Sequence, residues 1–172
     1  DFAKLATLTA PYLRATDDET LAALIAPRLE EMLGGPLEAA ARARLVPAMP
    51  ELKPRAQTLK ELAAAARFYV APRPIPLDDK ARALLDDKAR ALLPALQAAL
   101  AQTPWEPAAL EAAVRAFAEA SGVKLGAVAQ PLRAGLTGSA ASPGIFAVMG
   151  VLGREETLAR LADASKADAS VC

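Results

Sequence analysis

The chain has 172 residues, 44 of them Ala and 26 Leu against 11 Val and Ile together, and this balance of helix formers predicts an all-α fold. Lys and Arg number 20, as do Asp and Glu, so a uniformly basic nucleic-acid binder is excluded, while an apolar share of 53% suits a folded core. There is no His, which excludes imidazole ligands and His-dependent nucleophilic catalysis, and Cys172 stands alone at the end, so no internal disulfide can form.

In chain order, Asp17 or Asp18 is placed to cap a helix that stops at Gly34-Gly35, and Pro36 suits the first turn of the next. Thr58 with Glu61 three residues on forms a capping box for a helix ending near Tyr69. The run PRPIP, holding Pro72, Pro74 and Pro76, cannot be helical and is expected to be a stiff boundary between two small helical bundles, residues 1–72 and 73–172. Beyond it Asp78 is expected to cap one long helix reaching about Gln102, and Pro107 to open another with Leu110, Val114 and Phe117 on one face, closed by Gly122. A third helix carries Leu125, Val128, Ala129, Leu132 and Leu136 and ends at Gly138. Ser142 and Pro143 then read as cap and first turn for Ile145 to Leu152, and Gly153 separates these from a last helix with Leu158 and Leu161 and a frayed tail.

The octapeptide LDDKARAL occurs at 77–84 and again at 85–92. Eight residues turn a helix about 80° beyond two full turns, so the repeat builds neither a heptad seam nor a solenoid, and its four Asp read as a solvated face with Asp78/Arg82 and Asp86/Arg90 pairs. The seven aromatics, Phe2, Tyr12, Phe68, Tyr69, Trp105, Phe117 and Phe146, are scattered and read as core residues, with Trp105 plugging a helix junction.

Charge is balanced in sum but not in distribution. Residues 52–76 hold Lys53, Arg55, Lys60, Arg67 and Arg73 against Glu61 alone, and residues 120–154 hold Lys124, Arg133 and Arg154 with no acid. Near the end of the second window, Ser142-Pro143-Gly144 offers backbone donors and acceptors that could meet a base edge or a phosphate. No apolar run approaches the roughly 20 residues that cross a bilayer, so no membrane partner and a cytoplasmic location are expected. A chain opening on Asp1 rather than Met is also expected to be a piece of a longer protein.

KPRAQTLKEL at 53–62, Trp105 with the helix after it, GVKLGAVAQPLRAGLTG at 122–138 and SPGIFAVMGVLGREETLARL at 142–161 stand in an order that resembles the C-terminal, anticodon-binding portion of bacterial glutamyl-tRNA synthetases, a class I aminoacyl-tRNA synthetase family. The opening KLATLTAPYLR at 4–14 is similar to the segment leading from that family's catalytic half, with Thr9 where Asn is usual. The resemblance implies a tandem pair of all-α domains that grips the anticodon arm of glutamate tRNA, as a monomer, for glutamylation by a separate N-terminal ligase domain. The family's His-rich and Lys-Ser-Lys ATP motifs have no counterpart, so this chain is expected to have no catalytic residues, metal or cofactor of its own, with ATP and Mg belonging to the missing domain.

Carried over position by position, the resemblance implies anticodon-reading roles for Arg55, Arg133, Ser142, Pro143 and Ile145. Lys53, Lys60 and Lys124, from the same basic windows, are expected to meet the tRNA backbone. These assignments agree in kind with the residue chemistry: unpaired bases are read on their Watson–Crick edges, and an arginine, with five donors and no acceptor, suits a base presenting adjacent acceptors. The competing expectation is a helical protein-interaction module that binds no RNA.

Overall fold

A computed structural model of the chain describes residues 10–166; the expectations for Phe2, for Thr9 and its neighbours, for Cys172 and for the end of the tail lie outside the described residues. Among the described residues every regular element is helical and there is no strand. The chain divides into two compact units, Asp1–Ala71 and Pro72–Cys172.

In the first unit, α1 (Ala10–Ala15) is followed by α2 (Asp18–Leu33), α3 (Ala39–Arg42), α4 (Leu45–Leu52), a 3-10 turn (Lys53–Arg55) and α5 (Leu59–Val70). Asp17 starts α2 by accepting from Thr20 through both its backbone N–H (3.0 Å) and its hydroxyl (2.7 Å), and Gly34 ends it in the left-handed conformation. Leu21, Ile25 and Leu29 recur at one-turn spacing on α2 and bury against α4 and α5, which contribute Leu45, Met49 and Leu52, and Leu59, Leu62, Ala66 and Tyr69. Pro36 does not open the next helix. It lies in a loop whose Leu37 N–H is taken by the Glu30 carboxylate (3.0 Å), and α3 starts only at Ala39. Thr58 caps α5 through the Glu61 N–H (3.1 Å), while Glu61 reaches one residue past the usual box to accept from Gln57 N–H (2.8 Å).

In the second unit the proline run is non-helical, but it is folded onto its own unit. Ile75 is buried, Arg73 pairs with Asp163 (2.9 Å), and the Asp78 N–H donates to Gly138 O (2.9 Å). The expected long helix is two: α6 (Asp79–Leu84) and α7 (Asp87–Ala101), broken at Leu85. The Asp78 and Asp86 carboxylates each accept from the backbone N–H three residues on, that of Ala81 and of Ala89, both at 2.8 Å. The four Asp are exposed, but the octapeptide is also a repeated cap signal, and Arg90 pairs with Asp87.

After α8 (Pro107–Ala120) and α9 (Leu125–Thr137), α10 spans Ile145–Lys166 with its helical conformation interrupted at Gly153 (φ 83°, ψ 167°). The buried face of α8 is Leu110, Val114 and Ala118, with Phe117 only half-buried. Of the aromatics among the described residues Tyr69 alone is fully buried, and Tyr12 is 64% exposed, so most are not core residues. Trp105 does tie a junction, donating Nε1–H to Met149 O (2.8 Å) under the Arg154 guanidinium.

Candidate nucleic-acid interface

In the first unit the Lys53–Arg55 turn joins α4 to α5. Ala56 behind it is fully buried, which leaves the turn on the surface with Arg55 pointing away. Arg55 is exposed and makes no hydrogen bond or ion pair among the described residues, so all five guanidinium donors are available. Lys60, in the first turn of α5, is likewise exposed and unpaired among those residues. Lys53 differs: its ammonium donates to Thr16 O (2.7 Å) and to the Asp18 carboxylate (3.0 Å), and its side chain is only 14% exposed. Burial pushes the Tyr69 phenol up to about 12; the Glu51 carboxylate adds to the rise and the Arg55 charge partly offsets it.

In the second unit the helix-to-loop stretch after α9 brings together residues nine apart. Arg133 Nε donates to Ser142 Oγ (3.0 Å), and Ser142 Oγ–H donates to Pro143 O (2.7 Å). The terminal nitrogens of Arg133 make no hydrogen bond among the described residues, so the guanidinium is oriented through one edge while the other stays available. Ser142 therefore does not cap α10, contrary to the expectation from sequence: its hydroxyl faces Arg133 and Pro143, and Gly144 O accepts the first intrahelical bond, from Val148 N–H (3.0 Å). Pro143 and Ile145 are buried while Gly144 is exposed, so within 143–145 it is the Gly144 main chain that faces outward.

The end of α9 that carries Arg133 is held from several sides. Thr137 Oγ1 donates to Arg133 O (2.8 Å), the left-handed Gly138 closes the helix, and the buried Arg160 guanidinium donates to Leu136 O (2.8 Å) while pairing with Glu156 (2.8 Å). Gly135 admits α10 closely: a Cβ there would stand 3.1 Å from that of Ala164. Arg160 was not among the sequence-based candidates; Glu156 and Arg160 at i,i+4 were its only signal. Lys124 sits exposed at the other end of α9, roughly 14 Å along the axis from Arg133 at 1.5 Å per residue.

Acid-poor sequence is not acid-poor space. Lys53 and Arg73 find acids from outside their window, Asp18 and Asp163, and Arg154 donates to Thr103 O (2.7 Å) with its guanidinium 5.4 Å from the Trp105 ring centre. Among the described residues no cluster of three or more His, Cys, Asp or Glu could hold a metal ion, and no helix is long and apolar enough to cross a membrane.

Comparison with known proteins gives one consistent result. The family described as the anticodon binding domain matches residues 4–165. The chain is 54% identical over 168 residues to glutamate–tRNA ligase 2 of Rhodospirillum centenum and 57% identical over 169 residues to glutamate–tRNA ligase 1 of Xanthobacter autotrophicus, covering 97% and 95% of this chain. It spans 36% of the length of each of these relatives. Among solved structures, a glutamate tRNA ligase of Elizabethkingia meningosepticum superposes with a TM-score of 0.73 at 21% identity, over 92% of this chain and 31% of that one, and a glutamate-tRNA synthetase of Elizabethkingia anophelis with 0.69 at 23%; these likenesses concern the fold. From the all-helical fold, the available guanidinium groups and the match over almost its whole length, it follows that this chain belongs to the anticodon-binding domain family.

Proposed function

We propose that this chain is the anticodon-binding part of a glutamate–tRNA ligase and grips the anticodon arm of glutamate tRNA as a monomer in the cytoplasm. The observation that carries the reading is the contrast in each unit between held backbone and available donors: Arg55 on its turn, and Arg133 braced by Ser142 with its terminal nitrogens unused. Cytosine presents O2 and N3 as neighbouring acceptors to such a fork, whereas a uracil edge alternates acceptor, donor, acceptor. The Ser142–Ile145 stretch, where Gly144 is the exposed residue, brings main-chain N–H and C=O to the surface and suits the latter pattern.

Glutamate activation and transfer fall to the remainder of a protein of the relatives' length, where ATP and magnesium would bind; the side chains described here do not fit a magnesium site, and no step is assigned to them. The family match also weighs against a protein-interaction module that binds no RNA. The test is a titration of the chain with unmodified glutamate tRNA and with the same tRNA carrying a replaced anticodon. Binding at least about tenfold weaker to the second is expected, since each misread base costs on the order of 1–3 kcal/mol. Equal affinity for the two would overturn the proposal.

A further inference from the structure

We propose that Lys53 is a positioning residue for Arg55: its ammonium clamps the Lys53–Arg55 turn to the junction of α1 and α2, and so sets the angle at which Arg55 meets a base. The inference rests on the reading of Arg55 as a base contact.

In a 3-10 turn successive side chains are about 120° apart, so Lys53 and Arg55, two residues apart, diverge. One points in and one points out. Lys53 crosses to the α1–α2 junction, where Thr16 O at the end of α1 and the Asp18 carboxylate at the start of α2 both accept from Nζ, at 2.7 and 3.0 Å. That junction is itself fixed. The Thr16 hydroxyl is bonded to Tyr12 O (2.6 Å) and Asp17 is occupied with Thr20, which leaves Asp18 as the carboxylate that meets the ammonium.

Apart from the Lys53 N–H bond to Met49 O that joins it to α4, the turn has little else of polar character to hold it. Its closing backbone bond, from Ala56 N–H to Lys53 O, is long at 3.3 Å, and the Arg55 guanidinium is tethered to nothing among the described residues. The aim of Arg55 therefore depends on the backbone that Lys53 anchors. An ammonium on a side chain only 14% exposed and already bound to two acceptors is also poorly placed to meet a phosphate, because both bonds would have to break first.

The experiment uses the full 172-residue chain and two anticodon stem-loops that differ only in the third anticodon base, cytosine or guanine, titrated across a range of salt concentrations. Lys53→Met keeps the stem and removes the donor; Asp18→Asn loosens the clamp without removing a positive charge. Both variants are expected to lose about fivefold or more of the preference for cytosine while the salt slope of Lys53→Met stays that of the parent. A Lys53→Met slope lower by about 0.7 to 0.9 with the preference intact would make Lys53 a phosphate contact and overturn the proposal. A lowered melting temperature with slope and preference both unchanged would reduce Lys53 to a stabilising residue and overturn it equally. Arg55→Gln and the parent are run alongside: if the parent has no preference, or Arg55→Gln keeps it, the reading of Arg55 has failed and takes this proposal with it, a result distinct from an unchanged ratio in the Lys53 and Asp18 variants alone.

Discussion

A guanidinium can read a base only with the donors that the protein leaves unused, and Arg55 leaves all of them. Cytosine meets that fork with two acceptors, whereas guanine turns N1–H and N2–H toward it, so donor faces donor and the cost is on the order of 1–3 kcal/mol. Arg55→Gln, which both donates and accepts, is expected to relax the preference for cytosine over guanine more than it lowers affinity for the cytosine-bearing stem-loop, measured as a ratio of dissociation constants. Tyr69 carries a second prediction. Its phenol ionises near 10.0 when solvated but is held up to about 12 in the folded unit, chiefly by burial, so the unfolded chain gives up the proton first. The stabilisation is complete below pH 10 and is lost as pH rises from 10 toward 12. In a Tyr12→Phe background, tyrosinate absorbance and loss of helical circular dichroism should therefore rise together over that range, and ionisation with no loss of helix would contradict the burial. None of this was legible from composition. Tyr12 and Tyr69 look alike in sequence, and only the tertiary packing of α5 on α2 and α4 separates an exposed ring from a buried one.

Element boundaries were readable wherever one residue type does one local job. The caps at Thr58 and Gly34, and the Asp17-Asp18 pair of which Asp17 is the cap, are legible because a short acceptor at the N-cap and a glycine at the C-cap satisfy backbone groups within a turn of themselves. The break between α6 and α7 was not, because Asp86 was weighed as a helix-surface charge although its carboxylate competes for backbone N–H groups. Asp86→Ala is expected to cost about 1 kcal/mol of unfolding free energy, measured by denaturant titration, whereas an i,i+4 surface pair would account for only about 0.3–0.5 kcal/mol. Gly138 was read as a helix stop, but its second constraint is long-range. With φ at 75° a Cβ would stand 2.1 Å from Pro76 O, against the segment whose Asp78 N–H bonds Gly138 O. Gly138→Ala must shift that backbone and adopt a strained conformation, so a loss of about 2 kcal/mol or more is expected in the same measurement. The Ser142 hydroxyl was misassigned for a related reason: its partner, the Arg133 guanidinium, lies on a different element.

For the whole molecule, the balanced total charge says little about RNA affinity, because counterion release depends on which cations are available to phosphates rather than on their sum. The two basic windows supply most of the candidates along the chain, but pairing across 35 residues, Lys53 with Asp18, or 90 residues, Arg73 with Asp163, is set by folding and cannot be counted from a window. Within those two windows, the cations that remain exposed and unpaired among the described residues are Arg55, Lys60 and Arg67 in the first unit and Lys124 in the second. Binding to tRNA should therefore weaken steeply as salt rises despite a net charge of zero. Each cation that touches a phosphate contributes about 0.7 to the slope of log K against log salt on single-stranded RNA and nearer 0.9 on a duplex. Lys60→Met and Lys124→Met should each flatten the slope by about that amount and weaken binding to cognate and non-cognate tRNAs alike. Arg73→Met removes the same charge from sequence but only an ion pair from the surface, and should leave the slope within error of the parent. Equal flattening by all three would mean that net charge governs the interaction after all, and a slope near zero in the parent would contradict phosphate contact as its source.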